Sequence, residues 1–353
     1  MQLSGKSKPQ SGNPALVNEL RNEIAAGPMT FARFMELALY HPEHGYYRSG
    51  KARIGRAGDY FTSVSVGPLF GRMLAAQFVE IREQLGSPND FTIVEQGAHG
   101  GEFARDVLVA APELRYQALE RGQTLPTFEG VHFSNELIDS FPVHLVKWTG
   151  TEWLERRVVA PDELFEFLDL PISDPRLRER VERIPLPLPA GYETEVNLAA
   201  LDWIETVASK LTRGFIIAVD YGFPRDEFYA PHRTRGTLQT YVKHRPNESP
   251  LLGVGEADMT AHVEWTSLVE HAMRCGLALA GFTDQHHFLT GLLTDEIAHD
   301  ASATRALQTL LQPSFLGMKF QFLVLAKNLN EPPHLRGLRF ARDARSALGL
   351  SRE

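Results

Sequence analysis

Four polar side chains follow two apolar segments of this chain and could take part in chemistry. Asn135, Glu136 and Asp139 lie in NELIDSFPVH (135–144), directly after the apolar stretch GVHFS, and Asp220 follows the stretch GFIIAV. Carboxyl and amide groups placed after buried strands can bind and orient a substrate, because ligands bind at the carboxyl edge of such sheets. Capping of a helix by Asn135 or Asp139, and a loop-holding role for Asp220, are the structural alternatives.

A glycine-bearing turn follows another apolar segment, in VEQGAHGG (94–101). A turn of this kind between a strand and a helix directs backbone N–H groups at a ligand, and small residues let the ligand approach. The spacing of Gly97, Gly100 and Gly101 differs from the dinucleotide pattern G-x-G-x-x-G. It is nearer to the G-x-G-x-G turn of S-adenosylmethionine enzymes, with His99 at the central position. A tight structural turn without a ligand is the alternative.

Glu120 ends the segment RYQALE, about 20 residues beyond the glycine turn, as ribose-binding acids do in doubly wound sheets. A carboxylate at this place can accept hydrogen bonds from both ribose hydroxyls. The alternative is a solvated glutamate at the end of a strand.

Short apolar segments alternate with helical patterns along the chain, which is typical of a mostly parallel sheet with helices on both faces. MKFQFLVLAK (318–327) has no helix after it, so it is predicted to close the sheet as an antiparallel strand. The fold class expected is therefore α/β. The other predicted strands are FTIVE (91–95), RYQALE (115–120), GVHFSNE (130–136) and GFIIAVDYG (214–222).

Other segments are predicted to extend this sheet domain. PMTFARFMELALYHPEHGYY (28–47) predicts a helix capped by Thr30 and ending near Pro42, which gives the domain a helical N-terminal extension. Residues 143–197 break the alternation: they contain a predicted hairpin (144–159) and a proline-rich extended stretch, and are read as an inserted substrate-side element. The predicted limits are a flexible tail at 1–27, one domain at 28–327 and a C-terminal tail at 328–353.

Composition excludes several classes of protein. The 353 residues carry a net charge of -8, which disfavours nonspecific nucleic-acid binding, and the single cysteine cannot form an intramolecular disulfide. No apolar run approaches the length of a membrane helix, and no secretion signal is seen, so a cytoplasmic protein without membrane insertion is expected. The histidines lack metal-site spacing, and no metal is expected.

The motifs together resemble one family, the MidA-like S-adenosylmethionine-dependent methyltransferases. The resemblance covers residues 27 to 327, and the ordered set is more specific than any one motif. Its mitochondrial members are protein arginine methyltransferases that act on a subunit of respiratory complex I during assembly. The motifs are, in order, PMTFARFMELALYHPEHGYY, GDYFTS with LFG, VEQGAHGG, NELIDSFPVH, DYG, GTLQTYVKHR with EADMTAHVEWTSL, QHHFL and GMKFQFLVLAK.

The resemblance implies a Rossmann-like class I methyltransferase fold that binds S-adenosyl-L-methionine. GDYFTS resembles the family's segment that packs over the cofactor, and NELIDSFPVH resembles the segment at the methyl-transfer edge. The catalytic candidates are Glu136, Asp139 and Asp220. The cofactor-binding candidates are Gly58, Asp59, Thr62, Glu95, Gly97, Gly101, Glu120 and Asn135.

Four departures from the family pattern bear on cofactor binding. The family has glycine where this chain has His99, proline where it has Ala98, and SPE where it has SVS (63–65). A Cβ at position 99 is expected to crowd the methionine part of the cofactor. Only RGQTLPTFE (121–129) connects two predicted strands, whereas the family has a further helix and strand at this place. One strand of the family's sheet could therefore be missing from this chain.

The leading hypothesis is methyl transfer to an arginine of a partner protein, with a respiratory complex I subunit as a candidate. The first rival is a catalytically degenerate member that acts as a non-enzymatic assembly or binding factor. A nicotinamide-dependent oxidoreductase is the second rival, but the glycine spacing disfavours it.

Overall fold

The computed structural model describes residues 12–48, 62–242, 245–298, 303–331 and 334–351. They form two compact units, each assembled from three stretches of chain. Unit 1 takes its described residues from 1–60, 140–199 and 228–261, and unit 2 takes its own from 61–139, 200–227 and 262–353.

The helices, in chain order, are α1 Pro14–Ile24, α2 Phe31–Tyr40, α3 Leu69–Gln84, α4 Glu102–Ala110, α5 Pro175–Val181, α6 Leu198–Lys210, α7 Arg225–Phe228, α8 Trp265–Arg274, α9 Gln285–Gly291, α10 Asp295–Ala298, α11 Thr304–Leu311 and α12 Ala344–Ala347. The strands are β1 Met29–Thr30, β2 Thr92–Gln96, β3 Arg115–Leu119, β4 Phe128–Asn135, β5 His144–Trp148, β6 Trp153–Val159, β7 Glu166–Pro171, β8 Tyr192–Val196, β9 Leu211–Phe223, β10 Gln239–Val242, β11 Arg245–Pro246, β12 Asp258–Thr260, β13 Val263–Glu264, β14 Ala278–Asp284 and β15 Phe320–Lys327.

Unit 2 contains the sheet that the sequence predicts. Its strand order is β14-β15-β9-β4-β2-β3, and β13 adds a short parallel pairing to β9. Strands β3, β2, β4 and β9 run parallel, whereas β15 is antiparallel to β9. The α/β class is confirmed, and so is the antiparallel direction of β15.

The sequence predicted that β15 closes the sheet, but a further strand, β14, lies beyond it. β14 pairs antiparallel with the outer side of β15 from Ala278 to Asp284, with a register shift between Leu279 and Gly281. The segment ALAGFTD carries few large apolar residues and an internal glycine, so its strand signal is weak. The closing strand is therefore β14.

The opposite edge of the sheet is β3. In the fully described stretch 62–242, no strand lies between β3 and β4, and β2 is the sheet neighbour of both. This confirms the short connection inferred from RGQTLPTFE. Arg115, Gln117 and Ala118 of β3 are exposed, as expected for an edge strand that no further strand covers.

The core of unit 2 fixes α4 against the sheet. The ring of Phe103 on α4 stacks on Phe133 of β4 with centroids 4.5 Å apart. A Cβ added to Gly71 of α3 would lie 2.6 Å from the Cβ of Asp106, so glycine permits the close approach of α3 and α4. This packing holds the start of α4, and with it the glycine loop, at one edge of the sheet.

Unit 1 is built on a second sheet with strand order β1-β6-β5-β8, in which β7 also pairs with β6. The hairpin predicted for 144–159 is confirmed, since Trp148 of β5 is paired with Trp153 of β6. The predicted N-terminal helix is α2, and the Oγ1 atom of Thr30 accepts the N–H of Arg33 as its cap. Strands β11-β10-β12 form a separate small sheet in this unit.

The described C-terminal residues pack onto unit 2. Leu335 and Leu348 are buried, and the N–H of Gly337 donates to the Oε1 atom of Gln77 at 2.9 Å. Among the described residues, no helix combines the length and apolar character that crossing a bilayer requires. The domain limits drawn from the sequence stay a prediction.

Candidate active site

The register of unit 2 brings the chemistry-bearing segments to one edge of the sheet. Gln96 of β2 pairs with Leu119 of β3 on one side and Ser134 of β4 on the other. Asn135 of β4 in turn pairs with Val219 of β9. The glycine loop, Glu120, the NELIDSFPVH segment and Asp220 therefore all follow strand positions that lie side by side.

The glycine loop has a left-handed backbone at four positions. The φ angles are +79° at Gly97, +38° at His99, +85° at Gly100 and +72° at Gly101. His99 is exposed and is the only one of the four that carries a Cβ, which makes a left-handed backbone unfavourable. A Cβ placed on Gly100 or Gly101 would meet no atom within 4 Å, so the loop borders open space.

Helix α4 begins directly at this loop. Its N-cap is Gly101, and no side chain caps the helix. The first N–H groups of a helix have no partner within the helix and attract anions. The start of α4 can thus receive a ligand carboxylate.

Glu120 contacts the glycine loop. Its Oε1 atom accepts the N–H of Gly100 at 3.2 Å, and the side chain is exposed. The N–H of Glu120 donates to the Oε1 atom of Gln123 at 2.8 Å, which fixes the turn after β3. The sequence prediction paired the loop with this acid, and the structure brings the two together.

Glu95 lies inside the sheet rather than in open space. Its side chain is 4% exposed, and its Oε2 atom accepts a hydrogen bond from the hydroxyl of Tyr116 at 2.9 Å. Burial raises the pKa of Glu95 to about 7, the Tyr116 donor opposes this, and the charge of Glu120 adds to it. Tyr116 was missed in the sequence because its position on an exposed edge strand carries no motif.

Glu136 is held in a defined orientation. The Nδ2 atom of Asn135 donates to its Oε1 atom at 2.9 Å, and the backbone N–H of Ser63 also donates to the carboxylate. Burial raises the pKa of Glu136 well above its usual value, with a further increase from the charge of Asp139. The buried Oδ1 atom of Asn135 has no hydrogen-bond partner in the described structure, which leaves it available to a ligand.

Asp220 anchors the turn that carries Asp139. Its Oδ2 atom accepts the backbone N–H groups of Ile138 at 2.8 Å and Asp139 at 3.2 Å, and its Oδ1 atom accepts that of Tyr221 at 2.8 Å. The residue is fully buried, and burial, followed by the charges of Asp139 and Glu136, raises its pKa. Of the two roles considered from the sequence, these contacts favour the loop-holding one.

The described end of the GDYFTS segment reaches the same edge. Thr62 is buried and its N–H donates to the Oγ atom of Ser65 at 2.8 Å. Ser63 donates through Oγ to the Oε1 atom of Gln285 at 2.7 Å, and Gln285 donates to the carbonyl of Leu310 at 2.9 Å. Gln285 of the QHHFL motif therefore supports the residue that contacts Glu136. The predicted cofactor residues Gly58 and Asp59 lie outside the described residues.

A second support lies beneath the glycine loop. The Oε1 atom of Gln96, the last residue of β2, accepts from Trp203 Nε1 at 3.0 Å and lies 2.9 Å from His132 Nε2. His132 is fully buried, and its burial lowers its pKa to about 3. A neutral imidazole that donates through Nε2 fits both contacts of Gln96. The sequence gave no signal for this trio, which joins three separate segments.

These residues fit an adenosyl-methionine ligand. The open loop and the uncapped start of α4 suit the methionine part, the exposed carboxylate of Glu120 suits ribose hydroxyls, and the unpaired Oδ1 of Asn135 suits a donor. Among the residues that the structure describes, no group of three or more His, Cys, Asp or Glu side chains could hold a metal ion.

Comparison with known proteins supports the same cofactor. A family model for S-adenosyl-L-methionine-dependent methyltransferases matches residues 112–283. The chain is similar to a Burkholderia thailandensis protein solved with bound S-adenosyl-homocysteine, at 29% identity and a TM-score of 0.84, covering 96% of this chain and 100% of that one. A native structure from the same organism matches at 28% identity and a TM-score of 0.81, over 95% of this chain and 99% of that one.

Two curated relatives span nearly the same length. One is the protein arginine methyltransferase NDUFAF7 homolog, mitochondrial, of Drosophila melanogaster, at 24% identity over 94% of this chain and 90% of the relative. The other is the protein arginine methyltransferase NDUFAF7, mitochondrial, of Homo sapiens, at 24% identity over 98% and 90%. The cytoplasmic location expected from the sequence was wrong by this comparison, because these relatives are named mitochondrial. The expectation rested only on the absence of recognised signals, which carries little information.

The fold, the strand-end residues and the comparisons point the same way. They confirm both the family and the cofactor inferred from the ordered motifs. The chain is thus similar, along nearly its whole length, to the MidA-like S-adenosyl-L-methionine-dependent methyltransferases.

Proposed function

We propose that this methyltransferase modifies an arginine side chain of a partner protein. The observation that carries the proposal is the pair of acidic residues Glu136 and Asp139 on one segment at the loop-bearing edge, with Asp220 anchoring the turn between β4 and β5. Carboxylates bind guanidinium groups through charge-assisted and often bidentate hydrogen bonds, which fix the orientation of the planar group.

The glycine loop, the start of α4, Glu120 and Asn135 would hold the cofactor. S-adenosyl-L-methionine supplies an electrophilic methyl group when bound. The residues of this chain would contribute mainly by positioning the acceptor nitrogen, since near-attack geometry can offset about 7–11 kcal/mol of a reaction barrier.

Glu136 would both orient the guanidinium and receive its proton. Burial raises the pKa of Glu136, which makes its carboxylate a stronger base than an exposed glutamate. The acceptor nitrogen would take the methyl group as the sulfur–methyl bond of the cofactor breaks and S-adenosyl-homocysteine leaves, and the proton on that nitrogen would pass to the carboxylate of Glu136. Asp139, which is 7% exposed, would help to balance the positive charge of the guanidinium.

The names of the relatives support the arginine assignment, since the Drosophila and human proteins are both named protein arginine methyltransferases. The resemblance of the motifs to the family's mitochondrial members implies a respiratory complex I subunit as the protein substrate. A subunit of that complex is therefore the candidate partner to test first.

A second function is a binding or assembly factor without methyl transfer. Two observations favour it: the left-handed backbone at His99, and the absence of a strand between β3 and β4. Calorimetry with S-adenosyl-L-methionine separates the two functions. Binding supports the enzyme, and no heat at millimolar cofactor supports the assembly factor.

The substrate is tested by incubating the purified protein and tritiated S-adenosyl-L-methionine with a mitochondrial extract. We expect one labelled band whose acid hydrolysate contains labelled methylarginine. Extract without the protein is the control for endogenous enzymes. Label in another amino acid would refute the arginine assignment, and a band common to both samples would not count.

A further inference from the structure

Unit 1 contains a polar cleft that no part of the proposed reaction uses. Its volume is about 780 Å³, within the range of about 300–1,000 Å³ typical of ligand sites. One wall is a face of the β5-β6-β8 sheet, and the other is formed by residues from 234–241 and 246–250. We call this space the unit 1 cleft.

Cross-strand pairing places four side chains in one row on the sheet wall. Glu195 of β8 pairs with Leu145 of β5, Leu145 pairs with Arg156 of β6, and Arg156 pairs with Asp169 of β7. Residues in such a row point to the same face of a sheet. Glu193, two positions before Glu195 on β8, shares that face.

The charge of Arg156 is already balanced. Its Nε atom donates to Asp169 at 3.1 Å, its Nη1 atom donates to Glu193 at 2.6 Å, and its guanidinium lies 4.5 Å from the ring centre of Phe167. Lys147 also donates to Asp169, at 3.0 Å. Arg156 is therefore committed to its neighbours and is a weak candidate for binding an anion in the cleft.

Glu195 is different, because half of its carboxylate lacks a partner. The residue lines the cleft and is 2% exposed. Its Oε1 atom accepts from both the N–H and the hydroxyl of Thr237, whereas its buried Oε2 atom has no hydrogen-bond partner in the described structure. A buried carboxylate oxygen without a donor is costly, and a bound cation would remove that cost.

We propose that the unit 1 cleft binds a cationic side chain, that of an arginine or lysine in a peptide segment, with Glu195 Oε2 as the acceptor. This inference does not depend on methyl transfer. The volume of the cleft accommodates the flanking peptide as well as the charged group. Arg235 and Glu248 at its rim carry opposite charges, so neither sign dominates the entrance.

Protonation of Glu195 supports the proposal. Burial raises its pKa to about 7, although the hydrogen bonds from Thr237, the backbone N–H of Glu195 itself and the charge of Arg233 oppose the shift. The other ionisable groups around it are Tyr192 on its own strand and the cleft residues Arg156, Glu193, Arg235 and Glu248. A cation would favour the ionised carboxylate, so binding should release a proton and tighten as the pH rises from 6 to 8.

The test uses fluorescein-labelled Gly-Arg-Gly amide, Gly-Lys-Gly amide and a neutral Gly-citrulline-Gly amide, without S-adenosyl-L-methionine, measured by anisotropy. We expect the two cationic peptides to bind about tenfold or more tightly than the citrulline peptide. The Glu195→Gln variant keeps the Thr237 contacts but removes the charge, so it should abolish the preference and the pH dependence.

Two control variants locate the binding. Glu166→Gln removes a charge from an exposed position on β7 outside the cleft and should leave affinity unchanged. Glu136→Gln lies in the proposed active site, so it should also leave this binding unchanged, whatever its effect on methyl transfer. Equal affinity for cationic and citrulline peptides, wild-type affinity in Glu195→Gln, or no binding at millimolar peptide would each overturn the proposal.

Discussion

Asp220, near the carboxyl end of β9, holds the backbone of Asp139, which follows β4. The Oδ2 atom of Asp220 accepts the N–H of Asp139 at 3.2 Å and that of Ile138 at 2.8 Å. Through this contact β9 fixes the turn that begins with Glu136. The acidic cluster thus contains one residue that shapes the site, Asp220, and two residues, Glu136 and Asp139, to which the proposed reaction assigns the substrate guanidinium.

Asp220→Asn should destabilise the protein. Asparagine keeps one acceptor oxygen and replaces the other with an NH2 group, so the backbone N–H of either Tyr221 or Ile138 loses its acceptor. A buried donor left unpaired costs about 1–3 kcal/mol. Chemical denaturation should show a loss of this size together with reduced methyl transfer. Asp226→Asn, at an exposed position on α7, is the matched control and should change neither. An unchanged free energy of unfolding in Asp220→Asn would contradict the anchoring role.

His99→Gly should tighten cofactor binding. Residue 99 has φ +38° in the exposed loop, and its Cβ is expected to crowd the methionine part of the cofactor, which glycine would relieve. Calorimetry with S-adenosyl-homocysteine should show a several-fold lower Kd. His99→Ala keeps the Cβ and serves as the control. If both variants tighten binding equally, the imidazole and not the Cβ is responsible.

Glu120→Gln should weaken cofactor binding. The carboxylate of Glu120 holds the Gly100 N–H and lies where ribose hydroxyls are bound in this class of fold. Loss of a charge-assisted hydrogen bond costs about 1.5–3 kcal/mol, so the Kd for S-adenosyl-homocysteine should rise roughly tenfold or more. Glu113→Gln, at an exposed position before β3, should bind normally. Normal binding by Glu120→Gln would remove Glu120 from the cofactor site.

Glu95 should make stability depend on pH. Its pKa in the folded protein, about 7, is above the unfolded value of 4.5, so burial favours the protonated form. Its contribution to stability is therefore complete below pH 4.5 and is lost as the pH rises through 7. Glu95→Gln stays neutral and should be more stable than wild type at pH 8, by up to about 3 kcal/mol, with little difference near pH 4.5. If the free energies of unfolding of Glu95→Gln and wild type differ by the same amount at pH 8 and pH 4.5, the assignment is contradicted.

The sequence predicted the elements with strong local patterns. Strands β2, β4 and β9 contain apolar runs bounded by polar or glycine residues, and α2 carries a recognisable cap at Thr30. The edge strand β3 is mostly exposed, and its prediction rested on the short segment RYQALE. β14 escaped detection because ALAGFTD has small residues and an internal glycine, and only its pairing with β15 makes it a strand. The short connection between Glu120 and Gly130 could be predicted because the number of residues is read directly from the sequence.

The site was predictable only where its residues sit in motifs. The glycine loop and Glu120 follow from spacing along the chain. The contact of Ser63 with Gln285 joins residues 222 positions apart, and the hydrogen bond between Tyr116 and Glu95 crosses two strands. Such contacts form only when distant segments come together in the fold. Local sequence patterns therefore do not predict them.

The most direct test of the account separates methyl transfer from cofactor binding in Glu136→Gln. The amide keeps the size of the side chain and its contact with Asn135 but cannot balance or deprotonate a guanidinium. We predict a loss of methyl transfer of about 10²-fold or more, as for removal of a general base, with the Kd for S-adenosyl-homocysteine essentially unchanged by calorimetry. Full transfer activity in this variant would contradict the proposed role of Glu136.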